Sequence, residues 1–186
     1  MGAVNFSLDI NLVKEVKKKF LLDVFIETGT FKGDTIENVK DIFKNIYSVE
    51  ISNEYFKLAY EKFKAFEHIK IVESNSPSFI KSLKNEFINK SVLFWLDAHW
   101  CVADHTGGEE SQCPLIEELE AIGQLNEESL IVIDDARLFL TVPPYPHEVS
   151  HWPSLNQIVK TLRNLSSKHE IMVLNDNILF FPKNKM

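Results

Sequence analysis

The chain has 186 residues, 45% of them hydrophobic and 25% charged, which excludes fibrous, disordered and membrane-spanning classes and suits one domain, residues 1–186, with a sizeable core. Its formal net charge of -7, with no basic stripe to neutralise a row of phosphates, argues against nucleic acid as a partner. No stretch is long and apolar enough to span a bilayer, so no membrane partner is expected.

The opening residues carry no charged head followed by an apolar run and a small-residue cleavage site, which points to a cytoplasmic protein. Met1-Gly2 begins a myristoylation pattern, but Phe6 stands where that pattern wants Ser or Thr. Lys17 to Lys19 lie in a segment where Val13, Val16 and Phe20 recur at helical spacing, a solvated helix face rather than a binding patch. Asp23 to Glu27 is a short β-rich run before a glycine-containing turn and reads as a buried strand. From Asp34 to Phe43 the residues Ile36, Val39, Ile42 and Phe43 share one helical face.

The alternation then repeats. A strand at Ile46 to Ile51 precedes a helix from Asn53 to Phe66, with Ser52 as N-cap. A strand at Ile69 to Glu73 precedes a helix near Phe79 to Ile88. The fourth strand, Val92 to Asp97, is almost wholly apolar, as expected at the centre of a sheet covered on both faces. A helix from Pro114 to Leu125 and a fifth strand from Leu130 to Asp134 follow. Pro143, Pro144, Pro146 and Pro153 predict a long ordered loop or lid over Leu138 to Trp152. A helix from Ser154 to Leu165 leads to two last strands, Glu170 to Leu174 and Ile178 to Phe181, joined through Asn175-Asp176-Asn177 as an antiparallel hairpin. The sum is an α/β fold, a Rossmann-like, seven-stranded, mostly parallel sheet with helices on both faces and a C-terminal antiparallel strand hairpin.

Ligands of open α/β sheets sit outside the carboxyl ends of the strands. There this chain carries Glu27-Thr28-Gly29-Thr30-Phe31-Lys32-Gly33, then Glu50, Ser74-Asn75-Ser76, Asp97-Ala98-His99 and Asp134-Asp135. Gly29 and Gly33 allow a tight turn and close approach to a ligand, or merely a tight turn. Glu50, at the end of the next strand, has the chemistry to accept both ribose hydroxyls of an adenosine, or to end the strand as a solvated carboxylate.

These residues resemble the class I S-adenosylmethionine-dependent methyltransferases, with their acid-x-Gly-x-x-x-Gly loop, acidic second strand and terminal hairpin, over Asp23 to Phe181. The resemblance implies S-adenosylmethionine as cofactor, with Glu27, Gly29, Thr30 and Gly33 along its methionine part, Glu50 on the ribose, and Asn75 with Ser76 at the adenine edge, where the family often has an acid and this chain does not. Within the family the chain looks most like the small metal-dependent O-methyltransferases of the catechol and macrolide-sugar type, whose acids match Asp97, Asp134 and Asp135. Asp97 thus falls in the cofactor, metal and catalytic sets at once.

Three carboxylates at adjacent strand ends repel unless a cation neutralises them, and such oxygen ligands suit Mg2+. The bland alternative is a helix cap or an ion pair with Arg137, which has the chemistry to hold an anionic substrate or orient the acids. The implied reaction is methyl transfer to the hydroxyl of a small-molecule acceptor, a sugar or an aromatic, with His99 as proton acceptor or as a packing residue. Cys101 and Cys113 form no disulfide framework and read as free thiols. With His99, His105, Asp104, Glu109 and Glu110 they also allow a zinc-bound lid; otherwise Gly107-Gly108 marks a flexible covering loop. A homodimer is compatible with a small chain of this kind. The competing functions are a nicotinamide-dependent oxidoreductase, which would want a third loop glycine, and a non-catalytic adenosyl-ligand binding protein.

Overall fold

The computed structural model describes residues 8–100 and 111–183. The elements run α1 (Ile10–Lys19), β1 (Val24–Thr28), α2 (Asp34–Val39), β2 (Asn45–Glu50), α3 (Asn53–Phe63), β3 (Ile69–Glu73), α4 (Ser76–Ser82), α5 (Lys84–Phe87), β4 (Val92–Leu96), α6 (Leu115–Ile122), β5 (Leu130–Ile133), α7 (Ala136–Leu140), a 3-10 turn (Val149–His151), α8 (Leu155–Leu165), β6 (His169–Leu174) and β7 (Asn177–Pro182). Seven strands form one sheet in the order β3-β2-β1-β4-β5-β7-β6. The first five pair in parallel, and β7 lies antiparallel to both β5 and β6. The mostly parallel sheet with its terminal hairpin is as the sequence predicts.

Alternation along the strands splits the core in two. Val24 and Ile26 of β1 point with Phe94, Ile131 and Phe180 toward Ile80 of α4, Leu119 of α6 and Leu162 of α8. Phe25 points the other way, with Leu93, Trp95 and Val132, toward Val16 of α1, Ile36 of α2 and Phe63 of α3. Helices therefore cover both faces. Among the described residues no helix is long and apolar enough to cross a membrane.

Several boundaries differ from those the periodicity suggests. Helix α2 stops at Val39 rather than Phe43; a tighter turn, with Ile42 N–H donating to the Val39 carbonyl, carries Phe43 into the core without helix. Helix α4 starts at Ser76, because Asn75 Oδ1 accepts the Ser78 N–H and caps it. Ser52 stands at the cap position of α3 but makes no side-chain cap bond. The proline-rich stretch is irregular only after Leu140, since Ala136–Leu140 is helical. At α8, Ser154 and Gln157 form a reciprocal capping box. Asn175 and Asp176 both hold positive φ, 50° and 64°, which closes the β6–β7 hairpin with the strand twist.

Candidate functional site

Strand order reverses between β1 and β4, and the polar residues gather above that crevice. Glu27, at the end of β1, points to the face of α1, α2 and α3, beside its register partner Ser48 on β2. It is 1% exposed. The Ser48 hydroxyl donates to Glu27 Oε2 at 2.5 Å, and the Thr30 hydroxyl is 2.6 Å from Ser48, so Thr30 is left as donor to Ser48. Among the described residues Glu27 Oε1 has no hydrogen-bond partner. Burial pushes the carboxyl up to about 8, only partly opposed by the Ser48 and Thr35 hydroxyls.

Glu50 is 5% exposed and aimed back at the first loop. Its Oε2 accepts the Phe31 N–H at 2.7 Å and its Oε1 accepts the Ser52 N–H at 2.8 Å. Phe31 sits at φ 47°, where a non-glycine residue is strained, and the Glu50 bond helps hold it there. Two backbone bonds leave the carboxylate oriented, each oxygen keeping a lone pair for a further donor. The predicted close approach of the glycines is real, but it is to the protein itself. A Cβ on Gly29 would meet the Asp97 carbonyl oxygen at 2.4 Å, and one on Gly33 the Phe63 ring at 2.6 Å. At the end of β3, Asn75 is exposed and Ser76 buried.

The acids expected to hold a metal are arranged otherwise. His99 Nε2 lies 3.3 Å from Asp97 Oδ1 and 3.0 Å from Asp135 Oδ2, between the two carboxylates. Arg137 Nη1 is 2.6 Å from Asp135 Oδ1 and also pairs with Asp176 in the β6–β7 turn. Asp134 Oδ1 accepts the Asp135 N–H at 2.8 Å, and Asp135 occupies the left-handed region at φ 55°. Among the described residues no group of three His, Cys, Asp or Glu is placed to hold a metal ion. The expected Mg2+ triad of Asp97, Asp134 and Asp135 therefore does not fit as placed, because His99 already lies between Asp97 and Asp135 and Arg137 against Asp135. The ion-pair alternative with Arg137 is what the structure contains.

The electrostatics follow. Burial disfavours the His99 charge, but close contact with Asp135 and the charges of Asp97, Asp135 and Asp134 outweigh it and raise its pKa to about 9. A histidine protonated at neutral pH has no lone pair for a substrate proton, so this arrangement suits His99 as a cation between two acids better than as a general base. Asp97 is raised well above the usual carboxylate range by burial, against the pull of His99. Asp134 is raised to about 6 by burial and by Asp135, whereas His99 and Arg137 hold Asp135 low despite its burial.

Above these acids stands an aromatic group. The Trp152 ring lies 5.5 Å from His99, 5.7 Å from Phe139 and 5.2 Å from His147, which in turn is 5.5 Å from Trp100. Gln112 fastens the proline-rich segment here, its Oε1 accepting from Trp152 Nε1 at 3.1 Å and from the Glu148 N–H at 2.8 Å. Cys113 is buried, and its thiol is pushed up to about 12 by desolvation, which disfavours the thiolate a metal needs. Cys101, Asp104, His105, Gly107, Gly108, Glu109 and Glu110 lie outside the described residues.

Sequence reasoning missed Glu118. This α6 residue is 1% exposed, its pKa raised to about 7 by burial, against the lowering influence of the Ser76 and Thr28 hydroxyls. The signal was present: Glu118 falls in the helical stripe of Leu115, Leu119 and Ile122, where an apolar residue is expected.

No protein-family model matches the chain, and no curated protein matches it. Solved structures do. A Streptococcus mutans protein in complex with SAH superposes with TM-score 0.60 at 9% identity, covering 92% of this chain and 94% of that one. The chain has the fold of the S-adenosylmethionine-dependent methyltransferases. One with that fold, from Clostridium acetobutylicum, superposes with TM-score 0.55 at 14% identity, over 92% of this chain and 88% of its own. Precorrin-6y C5,15-methyltransferase from Geobacter metallireducens gives 0.56 at 15% identity, over 96% and 91%. At these identities the shared property is the fold.

Proposed function

We propose that this protein is an S-adenosylmethionine-dependent methyltransferase that methylates a hydroxyl of a small molecule, a sugar or an aromatic. The observation that carries the reading is Glu27, a buried carboxylate at the switch point of the sheet with one oxygen unpartnered among the described residues. Burying such a group without a partner is unfavourable. A cationic ligand supplies the missing partner, and the ammonium of the cofactor's methionine part has that chemistry. The SAH held by the Streptococcus mutans protein of the same fold supports the same ligand class.

When bound, the cofactor supplies a methyl group on a sulfonium centre for one in-line displacement. Glu27 holds the ammonium, with Thr30 and Ser48 fixing its other oxygen. Glu50, oriented by the Phe31 and Ser52 N–H groups, accepts the ribose hydroxyls. Asp134, whose pKa near 6 leaves it ionised at neutral pH yet basic enough to be useful, takes the hydroxyl proton of the acceptor. His99 and Arg137 keep Asp97 and Asp135 from repelling each other, so the acids stand together without a metal in the step. Trp100 and His147, half-buried, the latter packed on the buried Trp152, offer aromatic surface to the acceptor. The net charge of -7 favours a small acceptor over nucleic acid.

Titration calorimetry with S-adenosylmethionine and S-adenosylhomocysteine tests the proposal. Binding of both, weakened by Glu50→Ala, is expected; binding of neither overturns it.

A further inference from the structure

Strand register lines up a polar row whose last member, Asn177, has no part in the scheme above. Leu96 on β4, Ile133 on β5 and Ile178 on β7 stand side by side, and one step further toward the crevice the same register sets Asp97, Asp134 and Asn177 abreast. The chains stay together over that step: the Asp97 N–H donates to the Thr28 carbonyl at 3.2 Å, the Asp134 N–H to the Leu96 carbonyl at 3.1 Å and the Ala136 N–H to the Asp176 carbonyl at 2.7 Å. Asn177 is 6% exposed. Its Nδ2 donates to the Asn175 carbonyl at 2.8 Å, and because a carbonyl only accepts, that bond fixes which end of the amide is nitrogen. Oδ1 is thereby left as an acceptor, and among the described residues it has no partner. A buried carbonyl without a donor is unfavourable, and a ligand that brings the donor removes the penalty.

We propose that Asn177 is a specificity-determining residue of the methyl-acceptor site, its Oδ1 accepting from a second hydroxyl on the carbon next to the one that reacts; this rests on the methyltransferase reading above, with Asp134 as proton acceptor. Residues opposite one another in an antiparallel pair have Cβ atoms about 5 Å apart, so a hydroxyl held at Asp134 brings its neighbour within reach of Asn177. The donors of the cofactor lie elsewhere. Glu27 and Glu50 place them at β1 and β2, whereas β7 is three strands from β1, roughly 14 Å at about 4.8 Å per strand. The acceptor class is therefore a vicinal diol, whether on a sugar or on an aromatic ring. An ether oxygen in the second place would set acceptor against acceptor with no proton between them. The same conflict stops transfer after one methyl, because the mono-ether presents its remaining hydroxyl to Asp134 only by turning the ether toward Asn177.

Methyl-labelled S-adenosylmethionine is offered with two matched sets of acceptors, catechol beside phenol and 2-methoxyphenol, and cis-cyclohexane-1,2-diol beside cyclohexanol and 2-methoxycyclohexanol. In at least one set the diol is expected to exceed both the mono-ol and the ether by at least about tenfold in kcat/KM, with a single methyl in the product. Asn177→Leu, which removes Oδ1, is expected to bring the diol within about threefold of the mono-ol; Asn177→Ala serves the same purpose if the leucine variant fails to fold. Asn177→Asp, which keeps an oxygen acceptor but not Nδ2, is expected to leave the diol ahead. Loss of the preference in the aspartate variant as well traces to the Asn175 bond and overturns the role of Oδ1. A wild type that takes the mono-ol as readily, transfer to no member of either set, or a leucine or alanine variant with the full preference overturns it too, and leaves the adenosyl reading standing where S-adenosylhomocysteine is still bound. A wild type that binds no S-adenosylhomocysteine overturns both.

Discussion

Replacing Glu27 by glutamine keeps the side-chain shape and removes the charge, and the structure predicts opposite effects on stability and on binding. The carboxyl has a folded pKa of about 8 against an ordinary 4.5, first because burial desolvates its charge. For an acid whose folded pKa is raised, the contribution to stability is most favourable below pH 4.5 and is lost as pH rises through about 8. At about 1.36 kcal/mol per pKa unit the full window is worth roughly 5 kcal/mol. The glutamine amide left without an acceptor offsets about 1–3 kcal/mol of that. Glu27→Gln is therefore expected to be the more stable protein at mildly alkaline pH, by roughly 2–4 kcal/mol, with the advantage shrinking as pH falls. Urea denaturation across that pH range reads the difference. The same variant should bind S-adenosylhomocysteine at least about tenfold more weakly, having lost a charge-assisted bond. A stability gap that stays constant with pH would refute the electrostatic reasoning, and unchanged affinity would refute the placing of the ammonium.

Further expectations attach to other residues. His99→Gln removes a cation from between Asp97 and Asp135, so the variant should gain a melting-temperature rise with MgCl2 that the wild type lacks; an equal rise in the wild type would show that a metal fits after all. Because the folded pKa of His99 is raised to about 9, its contribution is full below the ordinary histidine value and is lost as pH rises through about 9, a decline that the variant should not show. Gly29→Ala would press a methyl against the Asp97 carbonyl at 2.4 Å in a left-handed backbone; a loss of at least about 2 kcal/mol is expected in thermal denaturation, and a neutral result would mean that this loop does not pack as described. His169 is buried between the Ser166 hydroxyl and the Ser129 carbonyl, and desolvation lowers its pKa. Its stabilisation is present above the ordinary histidine pKa and lost as pH falls through the folded value, so His169→Gln should flatten the acid limb of a stability curve.

Most of the fold was legible because burial on both faces leaves continuous apolar strands and one-sided helices, and neither pattern needs tertiary knowledge to read. Val92–Leu96 and the Asn175-Asp176 turn are examples. Helix ends were less so: the cap of α4 depends on Asn75 turning its side chain back, and α2 ends where its last turn tightens. At the site, sequence order brought Glu27, Glu50, Asp97 and Asp134 to neighbouring strand ends, but it does not say which charges meet. That His99 lies between Asp97 and Asp135, and that Asp176 reaches Arg137 from the terminal hairpin, are contacts between segments far apart in the chain. Ser48 and Gln112 were invisible for the same reason, since a lone serine in a strand and a lone glutamine after a loop carry no pattern.

The balance of charge at the crevice bears on which ligand it takes. Glu27, Glu118 and Asp134 are all raised, first by burial, to about 8, 7 and 6, so the site holds acids that a nearby positive charge would favour and a negative one would penalise. The first turn of α2, where a dinucleotide fold would present free N–H groups to a pyrophosphate, carries Asp34 and Glu37 instead. The space at Gly29 and Gly33 is taken by the Asp97 backbone and the Phe63 ring. The raised acids and the acidic first turn of α2 disfavour a pyrophosphate and suit a ligand bearing an ammonium. Such a ligand lowers the Glu27 pKa on binding, so near neutral pH the complex must shed a proton that the free protein holds. Calorimetry of S-adenosylhomocysteine in two buffers of unlike ionisation enthalpy measures that proton directly. Net release, largest below about pH 8, between the Glu27 pKa of the complex and that of the free protein, fading as pH rises through about 8 and absent in Glu27→Gln, is the expected result; uptake, or release that survives the substitution, would place the ammonium somewhere other than against Glu27.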